Sequence, residues 1–320
     1  MTGTTTYKTA LNQALADGMA EFPKSFLMGQ DVGAFSIGGV TAGLHERFGA
    51  ERIRNCPISE SAMVGMAVGA AMKGYVGVIE MAYADISAVA FSSIVHSAAK
   101  LHFATNGRLR CPLVIRSPIG RWSRHGAMGT DVTLSWYSNV PDLAVCMPAT
   151  PREAYWHLRA AFRRPVPTMF LEDRSLMADE GELGAELDDR ALEMKPGRDL
   201  TLIAAGRTVK IALEAAAELE KAGMTGAVQV LSLGHIKPFD GATVLAAARR
   251  TRRVLVVQDE PPYGGYGPMV QSALDELPVD ALLRSPKLLS RADTFLPFLR
   301  EEDHLPTAQQ IVAAARKLLD

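Results

Sequence analysis

The segment Asn55-Cys56-Pro57-Ile58-Ser59-Glu60 runs directly into the small-residue stretch Ser61 to Met72. A carboxylate therefore stands where a loop meets a helix rich in glycine and alanine. Two chemistries suit it. In the first helical turn a carboxylate is stabilised by the helix dipole and the unpaired N–H groups. Carried instead into an interior short of water, it becomes a proton donor or acceptor whose pKa is tuned by desolvation. A second cluster is Gly120-Arg121-Trp122-Ser123-Arg124-His125-Gly126, which follows an apolar run. Loops at strand ends are where α/β proteins place ligands, although a solvated charged loop has the same composition. The guanidinium forks of Arg121 and Arg124 suit a carboxylate or a phosphate on a substrate, and His125, next after Arg124, suits proton transfer.

Other motifs carry less. Neither a Walker-type loop nor a G-x-G-x-x-G between strand and helix is present, so a nucleotide phosphate has no familiar cradle. Gly264-Gly265-Tyr266-Gly267 reads as a tight turn into a helix starting near Pro268, rather than as a phosphate loop. Gly65 and Gly69, four apart on one helix, point to close helix approach. No G-x-S-x-G elbow supports a serine nucleophile. His96, His102 and His157 fall on helices and read as structural or surface histidines. Cys56, Cys111 and Cys146 match neither a zinc spacing nor a disulfide framework, which fits a reducing compartment.

The elements that must position these residues alternate. Ser25 to Gly29, Val76 to Glu80, Pro112 to Arg116, Leu143 to Met147 and Thr168 to Glu172 read as strands buried on both faces. Helices are expected at Tyr7 to Glu21, Ser61 to Met72, Ser87 to Phe103 and Pro151 to Arg163. Such alternation predicts a parallel sheet covered by helices. Polar, glycine-containing Ala178 to Arg198 reads as a linker. A second alternation follows, with strands at Leu200 to Ala205, Ala227 to Leu231 and Arg253 to Gln258. Its helices fall at Val209 to Ala222, Gly241 to Thr251, Pro268 to Glu276 and Thr307 to Leu319.

With 320 residues, 48% of them hydrophobic, the chain has material for two cores. Lys+Arg 34 against Asp+Glu 35 give a net charge of -1, so no global field draws it to nucleic acid or to an anionic membrane. No apolar run approaches a membrane-spanning length, and the start Met1-Thr2-Gly3-Thr4 lacks the features of a secretory signal. A cytoplasmic protein is expected.

Taken in order, the segments resemble the β subunits of thiamine-diphosphate-dependent 2-oxo acid dehydrogenases, relatives of transketolase. The resemblance runs through Met28-Gly29-Gln30-Asp31-Val32, Gly38 to Leu44, Pro57-Ile58-Ser59-Glu60 with Gly65 and Gly69, and Ser97-Ala98-Ala99-Lys100. It continues through Pro112 to Arg116, Val140-Pro141-Asp142-Leu143, Ile236-Lys237-Pro238-Phe239-Asp240 and Asp293 to Phe298. It implies an α/β fold of two domains: a pyrimidine-binding domain over 1–180, a linker over 181–198 and a transketolase C-terminal domain over 199–320. It also implies that Glu60 hydrogen-bonds the cofactor's aminopyrimidine ring and so promotes loss of the thiazolium proton. Tyr83 and Ile86 are expected against that ring. The Gly-Asp-Gly motif that holds magnesium and diphosphate in this family is absent from the sequence. The resemblance therefore implies an α subunit supplying the magnesium ligands, an α2β2 assembly, and a lipoyl acyltransferase as a possible further partner.

Departures from the pattern are specific. The family's His-Ser-Gln segment before Trp136-Tyr137 is replaced by Gly129-Thr130-Asp131, leaving His125 as the nearest histidine. Ile86 stands where an aromatic is usual, Gln30 where an acid is usual, and Ser92 where an aspartate is common. The leading expectation is a catalytic subunit that activates the cofactor through Glu60 for attack on a 2-oxo acid, with decarboxylation and acyl transfer. A split transketolase-like or acyloin-forming carboligase, with Arg121 and Arg124 meeting an anionic acceptor, is the alternative. A structural or regulatory subunit is the third reading.

Overall fold

In the computed structural model, which describes residues 3–33, 36, 38–120 and 126–320, the two alternations build two sheets. The first contains β2 (Ser25–Gly29), β3 (Ile53–Asn55), β4 (Val76–Glu80), β5 (Leu113–Ile119), β6 (Ala144–Cys146), β7 (Thr168–Asp173) and β12 (His235–Lys237). Its order is β12-β6-β7-β5-β4-β2-β3. All pairings are parallel except β12 on β6. The second sheet has the order β14-β13-β10-β11-β9, built from β9 (Leu192–Lys195), β10 (Leu200–Ala204), β11 (Val228–Ser232), β13 (Val254–Val257) and β14 (Lys287–Leu289). Only β9 is antiparallel there. A small ribbon pairs β1 (Thr4–Thr6) with β8 (Glu180–Glu182).

Helix α1 (Tyr7–Glu21) packs beside α6 (Pro151–Arg163) on one face of the first sheet. The fit is close: a Cβ at Gly18 would lie 2.7 Å from the Phe162 ring. The start of α6 explains itself locally. Thr150 caps it by accepting from Glu153 N at 3.2 Å, and Pro151 fills the first turn, where no amide hydrogen is needed. The opposite face carries α3 (Glu60–Ala71) in a core shared by both sheets, where Val64 and Ala67 join Ile203, Leu231 and Val254. Helices α7 (Arg207–Lys221) and α10 (Ala308–Leu319) cover the outer face of the second sheet.

One expectation needs correction, and two further features add to the sequence reading. Ser87 to Phe103 is not one helix but a 3-10 segment Asp85–Ala90, a π segment Ser93–Ala99 and a short α-helix Leu101–Ala104. Ser87 Oγ donates back to Ala84 O at 2.5 Å, the local competition that serine offers a helix backbone. The expected linker is partly structured, since β8 and β9 lie within it. Finally, β12, from beyond that linker, is an edge strand of the first sheet, so the halves interlock through backbone hydrogen bonds. Met147 N donates to Gly234 O at 2.8 Å, and Gly206 N to Met147 O at 3.2 Å.

Candidate active site

Glu60 is the first residue of α3, and Ser59 before it makes no side-chain cap. The residue is only 5% exposed, yet no hydrogen bond or ion pair engages its carboxylate among the described residues. Both features of the sequence reading thus hold at once, a first-turn carboxylate and a buried one. Its neighbours reinforce the setting. Cys56 Sγ lies 3.0 Å from Met63 Sδ, and burial, then the charge of Glu60, pushes the Cys56 thiol up. Gln30 reaches Pro57 O at 3.5 Å, and its Oε1 is buried without a partner. Ser61 Oγ donates to Val89 O at 2.6 Å, tying the start of α3 to the 3-10 segment that carries half-buried Ile86.

The remaining face of α3 is open. Ser61, Ala62, Gly65, Met66 and Gly69 are exposed, as are Ile58 and Val89 nearby. A Cβ added at Gly65 or Gly69 would meet nothing within 4 Å. The close approach expected of these glycines is therefore not made inside this chain.

Behind the site lies an ion network. Arg116, 1% exposed, grips Glu172 through Nε at 2.6 Å and Nη2 at 2.8 Å, and also bonds Glu80. Burial raises the Glu80 carboxyl, and the Arg116 guanidinium opposes that rise. The Tyr83 ring lies 5.6 Å from the Arg174 guanidinium, which itself donates to Ala82 O at 2.6 Å. Tyr83 is thus partnered on the side of β7. Where the two sheets meet, a cavity of about 10 Å³, room for one water, is lined by Thr130, Asp131, Asp173, Arg207, Asp259 and Arg291 among others.

His125, Arg121 and Arg124 lie outside the described residues. His157 is buried against His235, with ring centroids 4.2 Å apart. His235 Nδ1 is 3.0 Å from Cys146 Sγ and its Nε2 3.1 Å from Asp189. Burial drops His235 to about 3 and pushes Cys146 up to about 12, so the Cys146–His235 pair is neutral and structural. His96 is exposed and 3.0 Å from Lys100 Nζ. The glycine loop at 264–267 is filled by its own chain: Gln258 accepts from Gly267 N at 2.6 Å and donates to Gly264 O at 2.9 Å. Ser135 Oγ takes Gly265 N at 2.7 Å. Those amides are spent on a turn, not offered to a phosphate. Sequence reasoning missed Glu260 and Arg291.

Two sheets of this kind, with a buried glutamate opening a helix at one sheet's edge, define a transketolase-type chain. Residues 4–179 match the pyrimidine binding domain of transketolase and residues 189–311 its C-terminal domain. The rice (Oryza sativa subsp. japonica) pyruvate dehydrogenase E1 component subunit beta-2 is 32% identical over 98% of this chain and 85% of its own length. The 2-oxoisovalerate dehydrogenase subunit beta of Bacillus subtilis is 36% identical over 84% of each. Among solved structures, an inactive beta4 tetramer of split gene transketolase superposes with a TM-score of 0.82 at 23% identity, over 98% of both chains. Transketolase from Leishmania mexicana gives 0.77 at 16% identity, over all of this chain and 46% of that one. The chain belongs to the transketolase-type family, in the branch that holds the β subunits of the thiamine-diphosphate-dependent 2-oxo acid dehydrogenases. Among the described residues no helix is long and apolar enough to cross a membrane.

Proposed function

We propose that this chain is the β subunit of a two-chain thiamine-diphosphate enzyme that acts on a 2-oxo acid, with residues 1–180 holding the pyrimidine end of the cofactor, 181–198 linking, and 199–320 forming the C-terminal domain. The observation that carries the reading is Glu60: a carboxyl 5% exposed, opening a helix, without a partner among the described residues. Buried polar groups are nearly always hydrogen-bonded, so an unengaged carboxyl at a site of this family fits the ring nitrogen of an aminopyrimidine. Bound there, the cofactor supplies the carbon nucleophile that attacks a 2-oxo acid. Glu60 holds the proton at the ring nitrogen. Ile86, on the segment tied to α3, offers an apolar wall to the ring. Tyr83, partnered by Arg174, stands farther along the same loop, and His125, Arg121 and Arg124 keep their expected roles toward substrate.

The open face of α3 supports a second chain. Glycine and alanine exposed beside a buried acid leave the cleft one-sided, and an α subunit carrying the magnesium and diphosphate ligands would close it in an α2β2 assembly. A lipoyl acyltransferase would then accept the acyl group. The test is a complex reconstituted with the α partner, in which exchange of the thiazolium C2 proton with deuterium is followed by NMR. Glu60→Gln is expected to leave assembly intact and slow that exchange at least 100-fold, a typical loss for one acid–base group. Wild-type exchange in the variant would favour a purely structural subunit. Ketose or acyloin products, with no acyl transfer to a lipoyl domain, would favour the carboligase.

A further inference from the structure

The layer that carries α3 is charged with one sign. Between Ser61 and Thr130 the sequence holds two acids, Glu80 and Asp85, against seven lysines and arginines. Glu80 is engaged by Arg116, and Asp85 faces Asp131 and Arg291. Lys73, Lys100, Arg108 and Arg110 remain exposed, and none of them is in an ion pair among the described residues. The net charge of -1 for the whole chain hides this local excess.

The fold gathers these cations at one edge. Strands β2, β4 and β5 run parallel side by side, so the residues that precede them lie together. Val76 N donates to Lys24 O at 2.9 Å, and Gly77 N to Pro112 O at 3.2 Å. Exposed Lys24 thus joins the row. Helix α3 starts from the other end of the sheet, where Cys56 N bonds Gly29 O, and runs back to this edge. Its exposed stripe of Gly65, Met66, Gly69 and Met72 ends at Lys73. The π segment packs beside α3 and buries Ile94 and Ala98 in the same core, so exposed Lys100 belongs to the same outer surface. The turn carrying the two arginines is fixed from within. Thr105 Oγ1 donates to Leu101 O at 2.8 Å and accepts from Leu109 N at 3.1 Å, while His102 Nδ1 lies 2.9 Å from Leu109 O. Arg108 Nε donates to Thr105 O at 3.1 Å, so backbone rather than an acid holds its guanidinium. Phe103, 84% exposed, stands beside them.

We infer that this basic edge is the rim of the α-subunit interface proposed for α3, that the α-chain surface facing it is acidic, and that the two chains meet by electrostatic steering. The inference rests on the proposed function, since it names the chemistry of the partner which that reading requires. Continuity supports the placing: the glycines and methionines of α3 form an apolar centre, and the cations begin where that stripe ends. Protein interfaces have this anatomy, an apolar core inside a polar rim. Exposed rim charges add little to the strength of a complex but set its association rate and salt dependence. A second copy of this chain would bring the same positive edge and be repelled. Nucleic acid or lipid headgroups would leave the adjoining glycines and methionines uncovered.

The test is stopped-flow association of the chain with its α partner between about 0.02 and about 0.5 M salt, over which the Debye length shrinks from about 20 to about 4 Å. The wild-type association rate constant should fall about tenfold across that range. Lys100→Glu, Arg108→Glu and Arg110→Glu together should lower it about 30-fold at the lowest salt and abolish the fall, with dissociation changed less than about threefold. A matched control reverses three exposed cations of the second domain, Lys221→Glu, Arg249→Glu and Arg284→Glu, and should associate at close to the wild-type rate. Poly-L-glutamate should slow association of the wild type and not of the rim variant. Salt-independent association, an equal loss in the control, or an effect confined to dissociation would overturn the inference. So would capture of the assembled complex by anionic vesicles or single-stranded RNA through the same cations, because the α chain would then leave the edge bare. Failure of the wild-type chains to associate would defeat the proposed function and the inference with it. Salt-independent association with normal C2 proton exchange would defeat the inference alone.

Discussion

At the scale of single residues, the chemistry depends on which acids lack partners. Glu172 is as buried as any acid and Glu80 is partly buried, but Arg116 engages both, so they are structural charges in a satisfied network. Glu60 and Glu260 are different: no side chain pairs with either carboxylate among the described residues, and both Glu260 oxygens are buried. For Glu260 this has a signed consequence. Its carboxyl rises from 4.5 to about 8 on folding, so the native state holds the proton more tightly than the unfolded chain. The stability associated with the protonated form is present below pH 4.5 and is lost as pH rises through about 8. Glu260→Gln, uncharged and of the same shape, should therefore flatten the dependence of Tm on pH from 4.5 to 8. Above pH 8 it should stabilise the chain by on the order of a few kcal/mol. Urea denaturation of the two proteins across pH 5 to 9 checks this, and parallel curves would show that Glu260 is not a neutral buried acid. Glu60 was legible from sequence because its cue is local, a carboxylate at a loop–helix junction. Glu260 was not, because nothing in Asp259-Glu260-Pro261-Pro262 announces that its side chain is buried.

At the scale of elements, α3 shows how a helix can serve an interface rather than a core. Met63, Val64, Ala67 and Val68 are buried, while Gly65 and Gly69 face outward with open space around them. A glycine in an exposed helix interior costs about 1 kcal/mol relative to alanine, a cost that close contact with another chain would justify. Gly65→Leu is accordingly expected to leave the isolated chain as stable as wild type, or slightly more so, while weakening α-subunit association at least tenfold. Calorimetry and sedimentation measure the two halves of that expectation, and unchanged association would remove α3 from the interface. Helices α1 and α6 were readable to the residue because their apolar periodicity, caps and flanking Pro or Thr agree. The 84–104 region was not, because its small and hydroxyl residues suit 3-10, α and π turns alike and packing chose among them.

At the scale of the molecule, the two sheets act as one body. They share a core, exchange β12 across the linker, and bring Asp131 and Arg291, 160 positions apart, into contact at 2.6 Å. The half-site proposed at Glu60 opens onto the uncovered face of α3, so on that proposal the isolated chain should bind thiamine diphosphate with magnesium no better than weakly, and the complex with an α partner at least 100-fold more tightly. Titration calorimetry on both decides it, and tight binding by the chain alone would contradict a shared site. The sequence by itself determined the strand–helix alternation, the family pattern and the candidacy of Glu60, because each rests on local periodicity, capping or contiguous motifs. Only the tertiary structure decided that the α3 glycines face outward, that β12 joins the first sheet, and that Asp85, Asp131 and Glu260 gather around Arg291. Those facts depend on long-range packing and on which buried groups go without partners, and neither is encoded in the spacing of neighbours along the chain.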